Sequence, residues 1–157
     1  MASWSEFEAV APELAAAVQG RFDAHRHALM ATLRHDGSPR ISGMETKYSD
    51  GELWLAMMPD SRKAADLRRD PRFSLHSAPL DVELRDGDAR IDGHAVEVHD
   101  DATIERFLGS LPESPPPSGV GLFRGDVRSV SIVRVEGNEL VMTAWRPGEA
   151  VRTTRRQ

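Results

Sequence analysis

Residues 28–58 read ALMATLRHDGSPRISGMETKYSDGELWLAMM, in which two short turn signals, HDGS and SDG, separate three apolar or alternating runs. Alternating runs joined by short turns that contain glycine and aspartate are typical of β-hairpins. We therefore predict three successive antiparallel strands over 28–34, 39–48 and 52–58. Because these strands follow one another with no helix between them, they favour an antiparallel β fold from the start.

A short helix is predicted directly after the third strand, in PDSRKAADLRRDP at residues 59–71. Ala64 and Leu67 lie three residues apart and therefore share one face of this helix, which we expect to be buried. Pro71 cannot continue a helix, so the helix ends before it. A further strand, RFSLHSA, is predicted to follow at 72–78.

The second half of the chain continues the strand pattern. VELRDGDARIDGHAVEV at 82–98 predicts another hairpin around its DGD turn, and residues 126–145 predict a strand, an EGN turn and a strand. Between them, a helix predicted over 102–111 has one apolar face and Asp100 or Asp101 as its N-terminal cap.

The order of elements predicts a single domain over residues 1–157. An amphipathic helix is expected at about 5–20, a proline-rich loop at 112–119 and a basic C-terminal tail at 146–157. Six or seven strands joined mostly by short turns, with few helices between them, favour a closed or nearly closed barrel over a doubly wound sheet. The expected fold class is mainly β, an antiparallel barrel with a few peripheral helices.

Composition limits the classes of function. The chain has 157 residues, a net charge of -5 and no cysteine. The lack of cysteine excludes disulfides and thiolate chemistry, and the acidic balance argues against a general nucleic-acid partner. No apolar run approaches the roughly 20 residues of a membrane helix, and the first residues lack the features of a signal peptide. We therefore expect a cytoplasmic protein with no membrane partner.

Ser61, Arg62 and Lys63 stand together where the helix predicted in 59–71 begins. Unpaired backbone N–H groups and the helix dipole favour an anion at such a position. The serine adds a hydroxyl donor and the two cations suit a phosphate group, so the triplet predicts a phosphate site. In the alternative interpretation Ser61 only caps the helix and the cations form a solvated basic face.

The segment LMATLRHDGSPRISGMETKYSDGELWLAMMPDSRKAADLRRDPRFSL resembles the core of the pyridoxamine 5'-phosphate oxidase-like family, the flavin-binding split barrels. The resemblance covers residues 28–79 well and the rest of the chain more weakly. It implies an antiparallel split β-barrel in which Ser61, Arg62 and Lys63 hold the phosphate of FMN. It also implies that Lys47, on the preceding strand, reaches the same phosphate.

The resemblance is less regular toward the C-terminus. AWRPGEAVRTTR is similar to a family element that lines the flavin pocket, with Trp145 as its tryptophan and Arg152 or Arg155 as its arginine. In the alternative interpretation Trp145 is a core aromatic residue at the end of a strand, and the arginines belong to the tail. The family's Arg-x-His element is absent from RTTR, and Ser42 and Gly43 stand where its phosphate-binding arginine is expected. We therefore do not expect true pyridoxamine phosphate oxidase activity.

The resemblance implies a homodimer with one FMN per subunit at the dimer interface, acting as an oxidoreductase on a small molecule. A reductase that uses the deazaflavin coenzyme F-420 is the first alternative, with Arg68 and Arg69 as candidates for holding its poly-glutamate tail. A flavin or haem carrier or sensor without enzyme activity is the second alternative. The sequence points to no residue as a catalytic acid or nucleophile.

Two further polar features give weaker signals. His25 and His27 offer two metal ligands, but no third ligand accompanies them, so we expect surface histidines and no metal site. Glu45 lies within a predicted strand. Because an unpaired glutamate is rarely buried, we expect Glu45 on the exposed face of that strand.

Overall fold

A computed structural model of the protein describes residues 1–79, 82–113 and 117–157. These described residues form four helices and nine strands. In chain order they are α1 (Trp4–Val10), α2 (Pro12–Asp23), β1 (Ala28–Leu33), β2 (Pro39–Met44), β3 (Thr46–Ser49), β4 (Glu52–Met57), α3 (Arg62–Arg69), β5 (Arg72–His76), β6 (Asp88–Glu97), α4 (Asp101–Gly109), β7 (Gly121–Glu136), β8 (Glu139–Trp145) and β9 (Arg152–Arg156).

All nine strands belong to one antiparallel sheet that closes on itself. The order along the main path is β2-β1-β5-β6-β7-β4-β3, so β2 and β3 lie at its two ends. Only Glu45 separates these two strands in the chain, and the backbone therefore joins both ends of the sheet. The expected mainly β fold class, an antiparallel barrel with a few peripheral helices, is confirmed.

The single strand predicted over 39–48 is two strands in the structure. Residues 39–44 pair with β1, whereas residues 46–49 pair with β4 at the opposite end of the sheet. A straight strand cannot pair with both neighbours, so the chain changes direction at Glu45. As predicted, Glu45 is exposed.

The hairpin predicted within 82–98 is wrong, because only β6 forms there. β6 pairs with β5 along one edge and with β7 along the other, which leaves no free edge for an additional strand at 82–85. Residues 82–87 form turns and bends instead. Leu84 has a φ of 54°, a left-handed conformation that does not occur in regular strands.

The predicted helix over 5–20 is broken into α1 and α2. Ser3 caps α1 by accepting a hydrogen bond from the Glu6 N–H, and the Glu6 side chain accepts one from the Ser3 N–H. Pro12 occupies the first position of α2, where its missing N–H is not needed. The helix predicted from 102 begins one residue earlier and is capped by Asp100, whose side chain accepts from the Thr103 N–H.

Two other predicted segments, a basic tail and a proline-rich loop, lie in the C-terminal half of the chain. The basic tail over 146–157 contains β9, which pairs with β8. The proline-rich loop predicted over 112–119 lies partly outside the described residues.

None of the helices in the described ranges has the length and hydropathy to cross a membrane.

A large apolar core fills the barrel and extends under α1 and α2. Phe7, Met30, Leu55, Leu75 and Ile91 are among its fully buried side chains. A second, smaller apolar cluster lies under α4 and contains the buried residues Trp54, Phe107 and Leu122. Because α4 rests on this second cluster, it packs beside the barrel rather than on the main core.

The longest strand pair, β6 with β7, contains a bulge. The register shifts between Asp92 and Gly93, opposite residues 127–129. A Cβ atom at Gly93 would lie 2.3 Å from the Asp126 carbonyl oxygen and 2.8 Å from the Phe73 ring. Only glycine therefore allows the two backbones to approach this closely.

Candidate functional site

A cavity of about 490 Å³ opens between β3, β4, the start of α3 and the end of α4. Three of the residues predicted to bind a phosphate, Lys47, Ser61 and Lys63, line it together. The other lining residues supply carbonyl, carboxylate, imidazole and apolar groups; they are His27, Gly43, Met44, Glu45, Thr46, Trp54, Ala56, Met58, Phe107, Leu111 and Pro112. The structure thus places Lys47 of β3 at the same cavity as the start of α3.

Ser61 is the N-cap of α3. It has an extended backbone conformation, with φ -68° and ψ 151°, and its hydroxyl oxygen accepts a hydrogen bond from the Ala64 N–H at 3.3 Å. The hydroxyl hydrogen is still available, because a serine can accept and donate at the same time. The backbone N–H groups of the first helical turn also lack intrahelical acceptors. Capping by Ser61 is therefore compatible with anion binding at this position.

Both lysines of the cavity donate to neutral carbonyl oxygens. Lys63 Nζ lies 2.5 Å from the Gly43 oxygen, and Lys47 Nζ lies 2.5 Å from the Ser110 oxygen. Lys47 Nζ is also 6.0 Å from the centre of the Phe107 ring. Burial lowers the pKa of the Lys63 ammonium. An anionic ligand would favour the charged form of Lys63 and is a stronger partner for both ammonium groups than a carbonyl oxygen.

The remaining wall of the cavity is largely apolar. The Trp54 and Phe107 rings lie 5.9 Å apart, and Trp54 Nε1 donates to the Ser49 carbonyl oxygen at 3.1 Å, which fixes the indole. Met58 is 63% exposed and borders the same space. The cavity therefore combines cationic side chains with aromatic and aliphatic surface, and Lys47 lies directly across from Trp54 in the strand pair of β3 and β4. Such a lining suits a flat ligand that carries an anionic group.

Arg62 faces a different cavity. This second space, of about 370 Å³, is lined by Arg34, His35, Asp36, Arg40, Arg62, Ala65, Asp66 and Arg69. The predicted serine, arginine and lysine triplet is therefore divided between two adjacent cavities. Consecutive residues of an α-helix point about 100° apart, so the side chains of Arg62 and Lys63 cannot face the same side of α3.

A buried carboxylate organises the second cavity. Asp66 is 3% exposed, and it accepts hydrogen bonds from Arg40 Nε at 2.6 Å, Thr32 Oγ1 at 2.8 Å and Arg69 at 3.1 Å. Burial alone raises the pKa of the Asp66 carboxyl, but these hydrogen bonds outweigh burial and hold the pKa below its ordinary value. Asp66 therefore stays ionised and fixes both arginines.

Sequence reasoning missed Arg40 and Asp66. Arg40 alternates along β2 with Ser42, and both point to the inner side of the strand. Asp66 lies between Ala64 and Leu67 on the inner side of α3, where a carboxylate needs a cationic partner. The position of Asp66 on the inner side of α3 therefore indicated a buried ion pair. The sequence does not show that its partner is Arg40 of β2, which packs beneath that helix.

Trp145 and Arg152 lie away from the first cavity. Trp145 is 3% exposed in the main core, with its ring centre 4.8 Å from that of Phe7, and agrees with the core interpretation. Its position on β8 points inward with Val141. Arg152 is exposed on β9 and lies 4.0 Å from Glu149, while Arg155 pairs with acidic side chains of β7 and β8. Within one chain, neither Trp145 nor the β9 arginines contribute to the cavity that contains Lys47.

Four charged or titratable side chains meet at the mouth of the first cavity. Glu45 Oε1 lies 2.9 Å from Arg26 Nε and 3.3 Å from His27 Nε2. Arg26 also contacts Glu113 at 3.4 Å, which ties the segment after α4 to the start of β1. Across the described parts of the chain, no three histidine, aspartate or glutamate side chains are grouped to hold a metal ion.

Comparison with solved structures shows the fold. PhzG from Burkholderia lata 383, solved with tetrahydrophenazine-1-carboxylic acid, has a TM-score of 0.69 and 14% identity, covering 98% of this chain and 93% of that one. A pyridoxamine 5'-phosphate oxidase-related, FMN binding protein from Nostoc punctiforme PCC 73102 has a TM-score of 0.67 and 13% identity, covering 94% and 96%. A protein described as an F420 reductase has a TM-score of 0.53 and 16% identity, covering 67% and 88%. The barrel is therefore the split barrel of these proteins.

Comparison at the level of sequence shows the family. No curated protein matches the chain. The sequence model of the family described as pyridoxamine 5'-phosphate oxidase, however, matches residues 14–134, which is most of the chain. That range contains the barrel strands from β1 to β6, most of β7, and every residue that lines the first cavity. On this match, the chain belongs to the pyridoxamine 5'-phosphate oxidase family.

Proposed function

We propose that the protein is an FMN-binding oxidoreductase that acts on a small molecule. Lys47, Ser61 and Lys63 hold the cofactor phosphate at the start of α3, and Arg62 adds positive charge from the adjacent cavity. The meeting of two ammonium groups, a hydroxyl and the first N–H groups of α3 at one cavity is the observation that carries the proposal. These are the donor types that recognise a phosphate monoester.

The cavity suits the size and shape of such a cofactor. Its volume of about 490 Å³ lies within the roughly 300–1,000 Å³ that small-molecule sites occupy. The two lysines and Ser61 match a phosphate, and the apolar surface formed by Trp54, Ala56, Met58 and Phe107 matches an aromatic ring system. The Nostoc punctiforme neighbour described as FMN binding supports the choice of cofactor.

FMN supplies hydride or electron transfer when bound, so the residues of the chain bind, orient and shield it. Lys47 and Lys63 fix the charged end of the ligand, and Ser61 sets its position relative to the axis of α3. Trp54 and Phe107 supply apolar surface that excludes water beside the ligand. Activity on pyridoxamine phosphate itself is not proposed, since the family's Arg-x-His element has no counterpart in RTTR at 152–155.

A deazaflavin-dependent reductase is a second candidate, and the second cavity favours it. Arg40, Arg62 and Arg69 line this space next to the first cavity. Asp66 holds Arg40 and Arg69, so among these three arginines Arg62 is the one available to a further carboxylate of a poly-glutamate tail. Arg68 is less available, because it makes a two-oxygen contact with Glu97 and also donates to the Pro59 carbonyl oxygen. The neighbour described as an F420 reductase is consistent with this candidate.

Binding of FMN to the purified protein tests the proposed cofactor. We expect the flavin fluorescence to change on titration with protein and to saturate at one FMN per chain. Competition with coenzyme F-420 then ranks the two candidates, since the tighter ligand displaces the other. If neither cofactor binds, the proposed function is wrong.

We also propose that the protein is a homodimer in which a second copy covers the outer face of β1 and β2. Leu29 is 44% exposed and Ile41 is 70% exposed on that face. Leu29 pairs with Gly43, which lines the first cavity, so a partner at this face also borders the ligand. Sedimentation is expected to give twice the chain mass of 17.4 kDa, and Ile41→Asp is expected to give the single-chain mass. A wild-type monomer would contradict the proposal.

A further inference from the structure

An imidazole and a carboxylate lie together at the mouth of the first cavity. His27 immediately precedes β1, and Glu45 occupies the junction between β2 and β3. Both side chains line the cavity, with His27 Nε2 3.3 Å from Glu45 Oε1. Because Nε2 faces the carboxylate, Nδ1 is the ring nitrogen that remains for another partner.

Reduction of a flavin in this cavity would favour protonation of a basic group beside it. This step rests on the proposed function, in which the cavity holds FMN. Two-electron reduction with uptake of one proton adds one negative charge to a flavin, and a nearby basic group is then favoured in its protonated form. Hydride delivery to a substrate also requires a proton at the neighbouring atom of that substrate.

The other ionisable groups that face His27 are less suited to this task. Lys47 and Lys63 donate to carbonyl oxygens, and the proposed function assigns both to the phosphate of the ligand. Glu45 is ion-paired with Arg26, whose guanidinium also contacts Glu113. Among the residues that line this cavity, His27 is the only imidazole, the side chain that ordinarily titrates near neutral pH.

We propose that His27 exchanges a proton with the ligand of this cavity, and that Glu45 is its positioning residue. His27 would take up one proton from solvent when a reduced nicotinamide nucleotide, or another two-electron donor, had supplied two electrons to the cofactor. The His27 imidazolium would then give its proton to the substrate that receives the hydride. The products are oxidised cofactor, a substrate that has gained two electrons and two protons, and neutral imidazole.

The midpoint potential of bound FMN, measured against pH, tests this proposal without a known substrate. If His27 takes up a proton when FMN is reduced, the wild-type plot of midpoint potential against pH should contain a limited window with a steeper slope. The slope in that window should correspond to one additional proton per two electrons. His27→Gln is expected to remove that window. Glu45→Gln is expected to alter that window, because it removes the carboxylate that faces His27 Nε2 at 3.3 Å.

His25 provides a matched control two residues away. It is exposed and has no hydrogen bond or ion pair with the described residues, so His25→Gln should keep the wild-type potential curve. Histidine NMR titrations of the oxidised and reduced holoprotein give a second readout, in which the His27 midpoint should lie at higher pH after reduction. If FMN still binds and the wild type and His27→Gln have identical curves of midpoint potential against pH, the inference is overturned. Absence of FMN binding would instead overturn the proposed function.

Discussion

Replacement of both cavity lysines, Lys47→Ala with Lys63→Ala, is expected to weaken FMN binding by about two to four orders of magnitude. A hydrogen bond to a charged group contributes roughly 1.5–3 kcal/mol, so two of them account for about 3–6 kcal/mol if they act independently. Each lysine comes from a different element, β3 or α3, and both line one cavity. Fluorescence titration of FMN with each variant measures the loss.

Folding should be little affected by this double change. Both side chains are only half-buried and donate to single carbonyl oxygens. Urea unfolding of the variant should therefore give a midpoint close to that of the wild type. A large loss of stability would mean that the binding defect reports unfolding rather than removal of the phosphate contacts.

A second pair of cations controls for net charge. Arg128 and Arg146 are exposed and line a separate cavity with Asp92 and Glu149. Replacing both by alanine lowers the net charge by the same two units. FMN affinity should fall by much less than in the lysine variant, because contacts act at short range and salt screens distant charges. Equal losses in the two variants would contradict a local phosphate site.

The variant Arg62→Ala tests which of the two cavities binds the phosphate. Because Arg62 faces the second cavity, we expect its removal to weaken FMN binding less than removal of Lys63.

The sequence interpretation assigned Arg62 and Lys63 to one phosphate site. The resemblance implied that Lys47 acts together with Lys63, and in the structure both lysines line the first cavity. The sequence interpretation did not account for the angle of about 100° between consecutive helical side chains.

Local sequence patterns correctly predicted the structural features that depend on a single turn or on one face of a helix. The HDGS and SDG turns lie between paired strands, and Ala64 and Leu67 are buried as their spacing predicts. The errors concern strand pairing over long distance. Neither the break at Glu45 nor the missing strand at 82–85 is visible locally, because each depends on which sheet edges other strands already occupy.

Removal of the buried carboxylate, Asp66→Ala, is expected to have the largest effect on stability. The change leaves Arg40 and Arg69 without their shared anion and leaves the Thr32 hydroxyl without its acceptor. Breaking a buried ion pair by deleting one partner costs about 3–5 kcal/mol. Because the Arg40 and Arg69 side chains are 20% and 37% exposed, water compensates in part, and we expect a loss near the lower limit. Urea unfolding at neutral pH measures it.

Two matched variants separate charge from geometry. Glu105→Ala removes one negative charge from an exposed position of α4 and should leave the free energy of unfolding nearly unchanged. Asp66→Asn retains the size of the side chain but not its charge. We expect Asp66→Asn to lie between the wild type and Asp66→Ala, because the amide oxygen still accepts a hydrogen bond from one arginine.

The cost of removing Asp66 should also depend on pH. Hydrogen bonds hold the pKa of the folded Asp66 carboxyl below its ordinary value of 3.8, so the folded state binds this proton less readily than the unfolded state. The resulting stabilisation is fully present above the unfolded pKa and is lost as the pH falls through the folded pKa. The difference in unfolding free energy between the wild type and Asp66→Ala should therefore be constant from pH 7 to about pH 5 and shrink below about pH 4. A difference that stays constant into strong acid would show that Asp66 contributes by packing rather than as a carboxylate anchoring Arg40 and Arg69.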